Sequence, residues 1–189
     1  MMRFLAIALV VGWTGVASAD GAFFSESGGG TAYKGGLAAY GSGALRVEFG
    51  AGYRRGPWTV ELLGGGGWVE ADCFGVNCEL TGVQHGGSVG YFGFDLERRW
   101  PVLQSRWRGL GLRFALHAGP RYFVGTDALN GYDGPGLNAG AQIEGDIWVL
   151  CYFIDAGIDA MRLSMPVDSV TGTAPYVMIG GRVGWMSGP

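Results

Sequence analysis

Apolar side chains alternate with polar or small ones at period two along much of the chain. Over residues 137–148, Leu137, Ala139, Ala141, Ile143, Gly145 and Ile147 fall on one face, and Asn138, Gly140, Gln142, Glu144 and Asp146 on the other. Helical spacing mixes these two sets, so a strand is predicted. Residues 112–124, 45–53, 58–68 and 176–185 repeat the pattern, and less regular strands are predicted at 31–40, 83–94 and 152–163. That makes eight. Short connections are expected at 54–57 and 148–151, with a longer basic one at 97–109. On the opposite side lie 40–43, 71–82, 126–135 and 166–175. An even strand number returns both termini to the same side, as in an all-β, closed, up-and-down barrel.

The first nineteen residues do not fit this pattern. Met1-Met2-Arg3 is a short positive start, Phe4 to Val16 is largely apolar, and Val16-Ala17-Ser18-Ala19 has the small-x-small form of a signal-peptide cleavage site after Ala19. The competing reading, an N-terminal anchor, fits poorly with the Trp13-Thr14-Gly15 interruption. The expected organisation is therefore a signal peptide (1–19), a Gly-rich N-terminal segment (20–30) and the barrel (31–189). No later stretch approaches the 18 or so unbroken apolar residues of a membrane-spanning helix.

Composition narrows the class. Of 189 residues 38 are Gly, 48% are hydrophobic and 15% charged. One Gly in five is hard to place in helices, where each interior Gly costs about 0.8–1 kcal/mol against Ala. The apolar content is too high for a disordered chain. With Lys34 the only lysine beside twelve arginines and a formal net charge of −3, a nucleic-acid partner is not expected in an exported protein.

Period two does not by itself say which face meets lipid. Three features point to apolar faces turned outward. The polar face carries Arg46, Glu48, Glu61, Arg113, Arg121, Glu144, Asp146, Asp155, Asp159 and Arg182, a sparse mixture that suits pairing inside a narrow lumen. Tyr53, Trp58, Trp148 and Trp185 fall at one end of their strands, and Trp68, Tyr122 and Tyr176 at the other, as two aromatic girdles. Arg54, Arg55, Arg98, Arg99, Arg106 and Arg108 lie in the short-turn connections, whereas Asp72, Glu79, Asp127, Asp133 and Asp168 lie in the opposite loops.

On this architecture the chain resembles the small eight-stranded outer-membrane β-barrels of Gram-negative bacteria, the class of the outer membrane protein A barrel domain and outer membrane protein X. The last strand, Gly180-Gly181-Arg182-Val183-Gly184-Trp185, resembles the C-terminal assembly signal, with hydrophobic residues three and five positions after Gly180. It departs from it in Met178 and in the four residues after Trp185. The resemblance implies an outer-membrane location, contact with membrane lipid and the assembly machinery, and a monomer. It implies a structural or surface-interaction role, with external partners at loops 71–82, 126–135 and 166–175.

Chemistry is thin. Cys73 and Cys78, in one loop of an exported protein, are expected to form a local disulfide; Cys151 is left over near a turn. His85 and Ser88 stand three apart, on opposite faces of a strand, and the family's lipid A deacylases pair a His with a Ser two apart. No catalytic residue, metal site or cofactor is expected. Gly64–Gly67 is not followed by the Lys-Ser/Thr of a phosphate loop. The alternatives are a narrow pore, a soluble periplasmic ligand-binding barrel and a lipid A-modifying enzyme.

Overall fold

The computed structural model describes residues 20–39, 43–69, 87–104, 110–127, 130–147, 150–165 and 168–184. The chain is all-β, a closed eight-stranded antiparallel up-and-down barrel. Its strands are β1 (Gly21–Ala32), β3 (Gly43–Arg55), β4 (Trp58–Val69), β5 (Gly87–Gln104), β6 (Leu110–Asp127), β7 (Asp133–Ile147), β8 (Leu150–Met165) and β9 (Asp168–Gly184). Each pairs with the next, and β1 pairs with β9, so no sheet edge is left open. A two-residue strand, β2 (Lys34–Gly35), adds to β9, and a 3-10 turn follows at Gly36–Ala39.

The first strand differs from expectation. It begins at Gly21 rather than residue 31, so the Gly-rich segment 20–30 belongs to the barrel wall. Its Ser and Gly residues look like loop, but pairing on both sides decides the matter: Phe23 to Thr31 pair with β9 while the whole of β1 pairs with β3. Bulk is unwelcome at Gly29, where a Cβ would meet the Val177 backbone.

Thr31 and Ala32 end β1, and the residues after them, as far as Ala39, close the mouth of the barrel where one continuous strand is expected. Lys34 and Gly35 continue the β1 register along β9, pairing with Thr173 and Gly172. Gly35 then takes φ +71°, a region that favours glycine, and turns the chain inward. Leu37, 1% exposed, joins one buried apolar cluster with Tyr33, Val89, Phe123, Leu163 and Val170. Gly172 leaves the space that the Leu37 side chain fills.

Strands β5 to β9 are 15 to 18 residues long, more than the 9–11 that cross a bilayer. Two expected loops are accordingly at least half strand. β9 starts at Asp168, so most of 166–175 is wall; β6 runs to Asp127 and β7 starts at Asp133, around an Asn130-Gly131 turn. β5 likewise continues to Gln104, through half of the expected basic loop. At the short-turn end, Gly56 (φ +57°) and Pro57 join β3 to β4 in two residues, as a tight hairpin requires.

Candidate functional site

The lumen is where chemistry concentrates. Of the ten expected lumen charges, nine face inward: Arg46, Glu61, Arg121, Glu144, Asp155, Asp159 and Arg182 are buried, and Glu48 and Arg113 partly so. The side chain of Asp146 lies outside the described residues. The strand pleat places them there, and the register between neighbouring strands brings opposite charges to the same height.

Toward the short-turn end the hub is Arg182 on β9. It donates to Glu61 at 3.0 Å, Glu97 at 2.8 Å and Gln142 at 3.3 Å, and it also pairs with Glu144. Arg54 reaches Glu144 at 3.3 Å, Arg99 lies 3.6 Å from Glu97, and Arg113 lies 3.9 Å from Glu144. Ser25 on β1 donates to Glu61.

A second network occupies the middle. Arg121 bridges Glu48 at 2.7 Å and Asp95 at 2.8 Å. Arg46 pairs with Asp159 and lies 3.1 Å from Glu48, its guanidinium 4.5 and 4.2 Å from the ring centres of Tyr91 and Tyr176. His117 sits between two carboxylates, with Nδ1 3.2 Å from Asp95 and Nε2 2.9 Å from Asp155. Asn138 donates to Asp159 at 2.8 Å and to the Tyr176 hydroxyl at 3.0 Å. All eight barrel strands contribute to the two networks.

The sequence pattern does not place all of these residues in the lumen. It puts Arg54 and Arg99 in connections, yet both are buried. Asp95 and Glu97 escape it because the charged run 97–99 reads as loop. The available signal is parity: Asp95, Glu97 and Arg99 continue the face of Tyr91 and Gly93. Tyr176, expected in a girdle, is buried in the lumen.

The lumen is packed rather than open. Among the described residues, one cavity of about 20 Å³ lies beside Glu48, His117 and Arg182, and another of about 20 Å³ lies between Arg46 and the apolar mouth. Each has room for about one water molecule. Above them the Leu37 plug closes the loop end. Among the described residues no cluster of His, Cys, Asp and Glu is placed to hold a metal ion. Cys73, Cys78 and His85 lie outside the described residues. Cys151 is fully buried in the lumen, opposite Arg182 in register.

The outer surface inverts the usual order. Phe24, Leu45, Phe49, Leu62, Phe92, Leu116, Leu137, Ile143, Ile154 and Ile179 are all exposed. On β8 the outward positions Tyr152, Ile154, Ala156, Ile158 and Ala160 are apolar, and the next two, Arg162 and Ser164, are polar. On β9 the outward run from Val183 to Pro175 gives way to Thr173, Thr171 and Ser169. The inner face switches at the same height, from Asp155, Asp159 and Tyr176 to Met161, Leu163, Val170 and Ala174. The nine residues from Tyr152 to Ala160, at about 3.3 Å each and tilted by about 40°, rise roughly 20–25 Å. Glu26, outward at the middle of β1, is the one acidic side chain within this belt among the described residues.

No protein-family model and no curated protein matches the chain. Among solved structures it is similar to the Neisserial surface protein A, with TM-score 0.58 at 10% identity over 89% of this chain and 100% of that one. The N-terminal β-barrel domain of Pseudomonas aeruginosa OprF gives 0.46 at 15% identity over 87% and 99%. Ail, the attachment invasion locus protein of Yersinia pestis, solved with the heparin analogue sucrose octasulfate, gives 0.44 at 14% identity over 87% and 99%. The first of these likenesses is one of fold: a small eight-stranded barrel.

Proposed function

We propose that this chain is an outer-membrane β-barrel that serves the cell envelope as a structural or surface-interaction protein, exported by cleavage after Ala19. The observation that carries the reading is the belt. A barrel in water turns its charges outward. This one buries five arginines and six carboxylates among its described residues, with Arg113 and Glu48 half-buried beside them, and exposes a continuous apolar band. The band's height matches the roughly 25 Å apolar belt of outer-membrane barrels. No described helix is long and apolar enough to cross a membrane.

The reading includes no catalysis and no conduction. Both His117 nitrogens are engaged by carboxylates, and Ser25, which lines the same small cavity, donates its hydroxyl to Glu61. Charges that satisfy one another across a filled lumen leave no path for ions. Interaction then falls to the loop-end rim, where Tyr122 donates to Asp133 and Tyr132 to Asp168 at the surface.

Membrane fractionation combined with gel mobility tests the reading. The protein should sediment with outer membranes, dissolve only in detergent and migrate differently before and after boiling. Recovery in the aqueous fraction, with unheated and boiled samples co-migrating, refutes it. Steady unitary currents from the purified protein in planar bilayers would favour a pore instead.

A further inference from the structure

We infer that the outer wall at the short-turn end carries a binding site for an anionic phospholipid, built from Arg55, Trp58 and Arg98; the inference rests on the membrane-barrel reading above. The three side chains face outward in one row across β3, β4 and β5. Arg55 is the register partner of Trp58, and Trp58 that of Arg98. Adjacent strands lie about 4.8 Å apart, so the two arginines flank the indole with their Cα atoms roughly 10 Å from each other. Two long guanidinium side chains can close that distance on one phosphate group.

Arg98 is held in place by aromatic faces. Its guanidinium carbon lies 5.3 Å from the Trp58 ring centre and 5.2 Å from that of Trp100. Such contacts orient the cation without neutralising it. Arg55 and Arg98 are both exposed, and neither pairs with a carboxylate among the described residues. The lumen arginines each pair with a carboxylate, so the contrast marks these two cations as free to take an anion from outside. Guanidinium groups suit phosphate oxygens because their N–H donors form a planar fork.

Apolar surface continuing from the cationic row selects a lipid over a free anion. Directly along the strands, the next outward row is Tyr53, Val60 and Leu96, and the row beyond it is Ala51, Leu62 and Phe94. Leu62 is 65% exposed and Val60 50%. A headgroup on the arginines therefore lays its acyl chain on an apolar track that starts one residue pair away. The other outward-facing arginine with a described side chain above the belt, Arg162, has Ala160 below it but Ser164 beyond it, at the opposite rim.

The test uses the folded full-length mature protein in detergent, with lipid retention read by native mass spectrometry. Phosphatidylglycerol should be retained over phosphatidylcholine, and the preference should fall as salt rises, because exposed charges are screened. Arg55→Gln with Arg98→Gln should lower phosphatidylglycerol affinity about 30-fold, which is about fivefold for each surface cation. Arg162→Gln should leave it unchanged. Equal retention of the two lipids by a heat-modifiable wild-type barrel overturns this inference alone. So does a double variant that binds as the wild type does. Displacement of the lipid by an equal concentration of inorganic phosphate overturns the lipid assignment. A wild-type protein soluble without detergent overturns the membrane reading as well. If the double variant does not fold, the salt series on the wild type still decides: a preference for phosphatidylglycerol that salt does not weaken overturns the inference.

Discussion

Arg182→Met removes the hub of the lower network while keeping much of the side chain's length. Its three carboxylate partners are not equally exposed to the loss. Glu144 retains Arg54 at 3.3 Å and Arg99 at 3.8 Å, and Glu97 retains Arg99 at 3.6 Å. Glu61 retains only the Ser25 hydroxyl among its described partners. Breaking a buried ion pair from one side costs about 3–5 kcal/mol, because a charge is left without a counterion. Neutralising that charge should recover much of the loss, so Glu61→Gln added to Arg182→Met is expected to return about 1–3 kcal/mol, a coupling of ordinary size for residues in direct contact. Glu144→Gln added instead should return less. The assay is urea unfolding of the barrel in detergent micelles or lipid vesicles, followed by tryptophan fluorescence and extrapolated to zero denaturant. An Arg182→Met cost below about 1 kcal/mol, or strictly additive effects with Glu61→Gln, would refute the claim that this network holds the lumen together.

Three further outcomes are expected from the same unfolding measurement. Leu37→Ala empties the plug of a fully buried side chain and should cost about 2–5 kcal/mol; a loss below about 1 kcal/mol would mean that the mouth is not packed. Gly119→Ala brings a Cβ against the Phe94 carbonyl on the neighbouring strand, so it should destabilise by about 1–3 kcal/mol, against the usual gain from replacing a strand glycine. Glu26→Leu removes the carboxylate from the apolar belt and should stabilise the protein in vesicles, by less than the roughly 2–4 kcal/mol associated with a basic residue at mid-depth. A destabilised Glu26→Leu protein would mean that this carboxylate meets a partner at the barrel wall.

The barrel is legible wherever one face is apolar throughout, as from Leu137 to Ile147, because inward and outward environments differ there at every step. It is illegible where the environments themselves change. Above the belt, β9 carries Ser169, Thr171 and Thr173 outward and Val170, Gly172 and Ala174 inward, so a pattern of apolar-outward strands takes it for a loop. β1 is hidden for a different reason. Its Ser and Gly residues have little preference of their own, and two neighbouring strands impose the extended form on them. The lumen charges on clean strands are readable from parity alone. Arg54, Arg99 and Glu97 are not, because charged residues near strand ends read equally well as solvated turns.

The plug at the mouth also constrains the order in which the molecule is made. Leu37 follows β1 closely in the chain, yet part of what receives it, Val170 and the space at Gly172, belongs to the last strand. Until β9 has docked, the segment from Lys34 to Ala39 has no strand to extend and only an incomplete wall to fill, and its closure over so long a loop comes late. Burial of Leu37 therefore reports that the ring has shut, and the same few residues that seal the barrel clasp its first strand to its last.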